Sequence, residues 1–428
     1  MSEPRTGRWS RRAAIGGALA VAAGAGWIGV HRRDRGGPHS PYFLQLSRAL
    51  SEAGVARPVI VVDRARLSEN IDAVRRTLAP TRLGVRIVVK SLPVAGLLEA
   101  VATGLGTDRF MVFNGSMVLD TLKWRSSADL LLGKPLPVAE VAHVLDAGGG
   151  GEPGSPGPQW LADSTTRLRE YAELARARGR KLRVNLEIDV GLHRGGLAGP
   201  AEVAAALDLI TASPELEFSG LMGYDPHVPK VPRPEAAYRA VVDSYGAALE
   251  VVRARVPSAM SGQLTLNTAG SPTYSLHVQD PNATEVAIGS AFVKPRDFDL
   301  DTLAHHVPAA FIATPVLKVV EPVKVPGLEA ASGVMTALDA NAARGFFVYG
   351  GHWLAEPESP TGLEFNSLYG RSSNQELLTG SRSVELRPND FIFLRPTQSE
   401  AVLLQFGDVL VYENGAITGS WPTFPVSA

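Results

Sequence analysis

Eight times between residues 86 and 288 a short run of β-branched and apolar residues gives way to a longer stretch with helical spacing. This alternation constrains the fold more than any other feature of the chain. The runs are Arg86 to Lys90, Arg109 to Phe113, Leu130 to Gly133, Trp160 to Asp163, Leu182 to Asp189, Phe218 to Tyr224, Leu264 to Thr268 and Glu285 to Ile288. Between them lie stretches such as Val94 to Thr103, Arg167 to Arg178, Ala201 to Ala212 and Glu235 to Val256, with apolar residues at i, i+3 and i+4. Strands that alternate with helices build parallel sheets, and eight such units over about 200 residues fit an α/β fold, the closed (β/α)8 TIM barrel.

The rest of the chain reads as additions to that barrel. Val59 to Asp63 forms an earlier strand, and the helix Ala65 to Leu78 follows it. From about Phe311 helical spacing gives out and apolar-polar alternation takes over, with strands expected at Phe391 to Leu394, Ala401 to Phe406 and Val409 to Glu413. Asn414-Gly415 between apolar runs predicts a type I′ hairpin, because both central residues need positive φ. The expected organisation is therefore a barrel over 65–308 and a mostly β C-terminal domain over 309–428, with a strand at 55–64 joining the latter. Residues 136–158, rich in Gly and Pro, are expected to form a mobile surface insertion.

Residues 1–36 stand apart from the fold. Ala13 to Val30 is an uncharged Ala/Gly-rich run preceded by Ser10-Arg11-Arg12, a pattern similar to a twin-arginine export signal. At about 1.5 Å per residue the run would span about 27 Å, enough for a membrane anchor as the rival reading, with membrane contact through 13–30. A periplasmic or anchored location is expected on either reading, and a cytoplasmic one stays open. Forty-two basic against forty-three acidic residues give a net charge of −1, which supplies no footprint for nucleic acid. Zero cysteines remove thiol nucleophiles, disulfides and cysteine-ligated metals.

Reactive groups of a barrel lie at the carboxyl ends of its strands. Lys90 closes an apolar run there, and burial of its stem would favour the neutral amine used in Schiff bases. Position alone favours a lysine reaching out to water. Glu187 and Asp189 alternate around Ile188 and so share a side. They suit acid-base work on a sugar, or a charge network that orients Arg194; an aromatic content of 7% speaks against a sugar site. The seventh strand leads into Asn267-Thr268-Ala269-Gly270-Ser271-Pro272-Thr273 and the eighth into Gly289-Ser290, small-residue segments where barrels hold phosphate.

Several of these segments occur together and in order: Pro58 to Asp63 with Leu67 and Asn70, the strand ending at Lys90, Asp189-Val190-Gly191-Leu192-His193-Arg194-Gly195-Gly196, Gly220 to His227, and Gly270 to Thr273. In this the sequence resembles the alanine-racemase-fold (fold type III) pyridoxal-phosphate enzymes, within them the D-threonine aldolase and D-serine dehydratase group. The resemblance implies a pyridoxal 5'-phosphate cofactor joined to Lys90 as a Schiff base, with Arg194 beside its ring. It also implies Tyr224 and His227 in the mouth of the site, and Gly270, Ser271, Thr273, Gly289 and Ser290 around the phosphate. An amino acid substrate and a homodimer are implied as well.

The sequence departs from that group where a metal is held. A histidine and a second ligand two positions on are replaced by Gln398 and Glu400 in Pro396-Thr397-Gln398-Ser399-Glu400, so no metal is expected. Glu400 becomes a candidate proton donor, and His352 in Gly350-Gly351-His352-Trp353 a second catalytic candidate. No tyrosine matches the opposite-face base of a racemase. The leading expectation is a lyase, a dehydratase (deaminase) or aldolase acting on a D- or β-hydroxy amino acid; racemisation, or cofactor binding without turnover, are the alternatives.

Overall fold

In the computed structural model, residues 33–150, 157–324, 327 and 339–426 are described. Strands β2 (Gly84–Val88), β3 (Arg109–Val112), β4 (Asp129–Leu132), β5 (Gln159–Ala162), β6 (Leu182–Ile188), β7 (Leu216–Gly223), β8 (Thr265–Thr268) and β9 (Glu285–Ile288) close into one parallel barrel. Closure is made by β2 against β9, with Gly84 opposite Glu285 and Ile87 opposite Ile288. These are the eight runs read from the sequence, shifted by one or two residues at most of their ends.

Local chemistry starts the helices that follow the strands. Asp63, Asn114 and Ser164 each accept a hydrogen bond from the backbone N–H three residues on, at 3.0, 2.8 and 3.2 Å, and so cap the helices Arg64–Leu78, Gly115–Trp124 and Thr165–Ala177. Such caps contribute about 1 kcal/mol each. Apolar stripes then hold the helices: Leu97, Leu98 and Val101 of helix Ala95–Leu105 are fully buried. Burial of a side chain of this size is worth about 1.5–3 kcal/mol.

By internal contacts the chain forms two compact units. Among the described residues, one contains those within 60–311, 396–414 and 418–426; the other contains those within 33–59, 312–395 and 415–417. The barrel belongs to the first unit, together with the parallel pair of β1 (Val59–Asp63) and β16 (Val409–Glu413), in which Val61 lies opposite Leu410 and Asp63 opposite Tyr412. The second unit is an antiparallel sheet. In it β10 (Ala310–Val320) pairs with β11 (Arg344–Tyr349), β11 with β14 (Gln375–Gly380), and β14 with the short β13 (Glu364–Phe365). On its other side β10 pairs with β15 (Phe391–Pro396), which carries β12 (Ala355–Ser359). Helix Pro41–Glu52, absent from the sequence reading, packs in this unit through Phe43, whose ring lies 4.9 Å from that of Phe393.

Two expectations are corrected. Ala401 to Phe406 is not a strand: Ser399 O accepts from the N–H groups of both Val402 and Leu403, which curls the segment into turns that bury those two side chains. The stretch 136–158 contains the helix Val138–Asp146, anchored by buried Val141, Val144 and Leu145. The hairpin signal is met, since Asn414 and Gly415 have φ of 53° and 85°. The apolar run at 13–30 lies outside the described residues; among the described residues no helix is long and apolar enough to cross a membrane.

The lower barrel interior is polar. Arg86, 0% exposed, donates from Nε to Glu285 Oε1 at 2.5 Å and from Nη2 to Glu285 Oε2 at 3.1 Å and Asp129 Oδ2 at 2.9 Å. Gln159 Nε2 bridges Asp129 Oδ1 and Thr265 Oγ1 at 3.1 and 2.9 Å. Barrels are more often filled with Val, Ile and Leu. Here a guanidinium sealed between carboxylates fills that space.

Candidate active site

Above this network the carboxyl ends of the strands enclose a cavity of about 420 Å³. Lys90 lies in it, on the tight turn Val89–Ser91 just past β2 and not on the strand itself. Its side chain is 39% exposed, so the buried stem expected from the sequence is not found. Nζ lies 4.6 Å from the centre of the Phe113 ring and 3.8 Å from Glu400 Oε1. The other carboxylate oxygen of Glu400 accepts from Ser399 Oγ at 3.2 Å and Ser290 Oγ at 3.5 Å. An amine and a carboxyl group thus face each other across one wall of the cavity.

Arg194 reaches the cavity from the loop after β6. Its guanidinium stacks on Tyr224, 5.0 Å from the ring centre, while Glu187 on β6 lines the cavity beside it. Burial pushes the Glu187 carboxyl up, the Arg194 charge pulls it back, and Asp163 and Asp189 push it up again. Asp189 serves the loop instead: its Oδ1 accepts from the N–H groups of Gly191 and His193 at 3.0 Å, and its Oδ2 pairs with His193 Nδ1 at 2.8 Å. Burial alone would raise Asp189, but these bonds hold it below the ordinary range. The two carboxylates expected to act together therefore have separate partners.

Gly270, Ser271, Gly289 and Ser290 also line the cavity. The glycines leave room that a side chain would fill: a Cβ on Gly289 would meet Ser91 Cβ at 2.8 Å, and one on Gly270 would meet Tyr224 Cε2 at 2.6 Å. Ser271 Oγ accepts from Gly289 N at 3.0 Å and Ala291 N at 3.1 Å, which ties the two loops together and leaves its hydroxyl proton to donate. This is a small-residue cradle at the ends of the last two barrel strands, and it fits a phosphate.

The other residues singled out in the sequence stand elsewhere. Thr273 is 0% exposed and does not line the cavity; its hydroxyl donates to Asp225 Oδ1 at 2.6 Å. Asp225 Oδ2 pairs with His277 Nε2 at 2.8 Å, and His277 Nδ1 with Asp280 Oδ2 at 2.8 Å. Burial would lower His277, but the bonds and charges of Asp225 and Asp280 raise it to about 9. Thr273 thus fastens the turn behind the cavity. His227 does not line the cavity either: it sits behind Gly191, where an added Cβ would come within 3.3 Å of its Nε2. His352 belongs to the sheet unit, exposed at a φ of 57°, with its N–H donating to Glu376 Oε2 at 2.6 Å. Gln398 donates from Nε2 to Asp297 Oδ2 at 3.1 Å, so it and Glu400 serve different partners.

Sequence reasoning gave no role to Phe113, Lys134 and Asp163, all of which line the cavity. The signal was available, because each stands at or just past the end of a barrel strand, the rule that singled out Lys90.

Comparison with known proteins agrees with the barrel fold. A search by sequence among curated proteins finds no match. In fold the chain is similar to D-threonine aldolase from Filomicrobium marinum, with a TM-score of 0.69 at 14% identity over 86% of this chain and 96% of that one. It is also similar to D-threo-3-hydroxyaspartate dehydratase from Delftia sp. HT23, with a TM-score of 0.65 at 15% identity over 86% and 98%. Alanine racemase from E. faecalis gives 0.58 at 16% over 79% and 88%. The family description "Alanine racemase, N-terminal domain" matches residues 62–296, more than half of the sequence. The chain belongs to the alanine racemase N-terminal domain family, whose members use pyridoxal phosphate.

Proposed function

We propose that this chain is a pyridoxal-phosphate-dependent lyase that breaks a bond at Cα or Cβ of a D- or β-hydroxy amino acid. The observation that carries the reading is the 3.8 Å approach of Lys90 Nζ to Glu400 Oε1 inside the cavity. Lys90 would join the cofactor's aldehyde and, once displaced by substrate, take the Cα proton. Glu400, steadied by Ser399 and Ser290, would protonate a group leaving from Cβ. Ser271, Gly289 and Ser290 would hold the phosphate, and Arg194, stacked on Tyr224 with Glu187 beside it, would flank the ring. When bound, the cofactor supplies an electron sink for the pair released at Cα.

The spacing argues against Glu400 as the second base of a racemase. A racemase places its substrate carbon between two bases, each within about 3 Å, which requires about 6 Å between them. Lys90 and Glu400 are closer than that. Gln398 and Glu400 do not fit a tight divalent site, because an amide and a carboxylate directed at different partners replace the ligand pair, and no step is assigned to a metal.

A screen of D- and L-amino acids, with and without added divalent cation, tests the reading. Ammonia with a 2-oxo acid, or an aldehyde with glycine, is expected from a β-hydroxy D-amino acid. Enantiomer interconversion as the main reaction would contradict it. A homodimer and export through the segment at 13–30 complete the proposal. Sedimentation tests the first, and fractionation of cells expressing the Arg11→Lys, Arg12→Lys variant the second; a monomer, or unchanged location, would remove them.

A further inference from the structure

The ion pair behind the cavity wall ends at the phosphate cradle. Asp225, two residues past β7, is sealed from water together with His277 and Thr273. They form one chain of bonds: Asp280 Oδ2 to His277 Nδ1, His277 Nε2 to Asp225 Oδ2, and Thr273 Oγ1 to Asp225 Oδ1. Thr273 has a single hydroxyl proton, and at 2.6 Å it goes to Asp225. The hydroxyl oxygen is left to accept from Gly270 N, at 3.1 Å. The chain of bonds thus reaches the backbone of a residue that lines the cavity.

That backbone needs holding. Ala269, which also lines the cavity, has a φ of 65°, a left-handed conformation that residues with a Cβ adopt rarely. Such a residue keeps its form only where the bonds around it insist. Here Gly270 N is held by Thr273 Oγ1, and Gly270 O accepts from the N–H groups of both Thr273 and Tyr274 at 3.0 Å. The next residue, Ser271, takes the N–H groups of Gly289 and Ala291 and has its own proton left to donate. Where Ser271 stands is set by this turn.

We infer that Asp225, His277 and Asp280 are positioning residues for the cofactor phosphate: through Thr273 they hold the turn from Ala269 to Ser271 in the shape that receives it. This deepens the cofactor reading given above and rests on it. His277 makes the hold depend on its own proton. As imidazolium it donates to both aspartates; as neutral imidazole it has one N–H, so one of the two bonds is lost. Beside the two aspartates, the titratable groups around it are Tyr238, whose ring lies edge-on at 5.1 Å, and Tyr245. Burial and Asp280 push both phenols up, so neither brings a charge between about pH 7 and 10. The hold is therefore present at neutral pH and loosens as pH rises through about 9, where His277 gives up its proton.

The test needs no turnover. The full chain, freed of cofactor, is titrated with deoxypyridoxine phosphate and with deoxypyridoxine, following protein fluorescence from about pH 7 to 10. Neither ligand carries the aldehyde, so the ratio of their affinities isolates the phosphate, which is a dianion over most of this range. In wild type the ratio should favour the phosphorylated ligand and shrink about 10-fold as pH rises through about 9, the size of one hydrogen bond to a charged group. Thr273→Val should lower the ratio about 10-fold at neutral pH and make it insensitive to pH. Thr273→Ser, which keeps the hydroxyl, should stay within about threefold of wild type. A turn fastened for stability alone would give a wild-type ratio that is flat in pH. That result, or an unchanged ratio in folded Thr273→Val, overturns the assignment while leaving Lys90 in its role. Wild type that binds neither ligand, nor pyridoxal 5'-phosphate, would overturn the cofactor reading as well.

Discussion

The upper and lower halves of the barrel interior use charge in opposite ways. Below the floor, Arg86 is sealed from water and bonded to Glu285, Asp129 and two backbone carbonyls. Above it, Lys90 and Glu400 are each about one-third exposed and 3.8 Å apart, and Arg194 rests on an aromatic face. Saturated, rigid charge belongs to stability, whereas loosely partnered charge in a cavity is free to bind and react.

This contrast can be broken at either end. The largest effect is expected from Lys90→Met, which should abolish the yellow absorbance and lower turnover by about 10⁴-fold while leaving thermal unfolding within about 0.5 kcal/mol of wild type. Arg86→Ala should do the reverse, costing about 3–5 kcal/mol in denaturant unfolding because two carboxylates lose their buried partner. An Arg86→Ala protein as stable as wild type would erase the distinction.

His277 sharpens it behind the cavity wall. Its folded-state pKa is raised to about 9 from 6.5, so its contribution is fully present below about pH 6.5 and is lost as pH rises through about 9. The shift corresponds to about 3 kcal/mol. Wild-type stability should therefore fall over that window, and His277→Gln should show a flatter profile; equal profiles would remove the ion pair from the account. Glu400→Gln should keep cofactor absorbance and unfolding midpoint and lower kcat by about 10²-fold. An unchanged kcat would mean that Glu400 only lines the wall.

The barrel was legible because each strand is an apolar run bounded by punctuation, and a parallel strand buried on both faces requires that pattern. The same rule failed at Ala401 to Phe406, where a run of similar composition curls into turns; short apolar runs do not reveal their own geometry. Helix Val138–Asp146 was hidden by the prolines and glycines around it. Within the site, Lys90 and the small-residue loops follow from position at strand ends, whereas Arg194 and Glu400 entered through the family resemblance. Thr273 could not be read correctly, since its partner Asp225 lies 48 residues away and no local signal announces the pairing. His352 was judged from its neighbours in sequence, but it belongs to the sheet unit.

The most direct measurement is borohydride reduction of the purified protein followed by peptide mapping. A single reduced pyridoxyl label on the peptide that contains Lys90 is the result this account predicts. A label on any other lysine, or none, would contradict it.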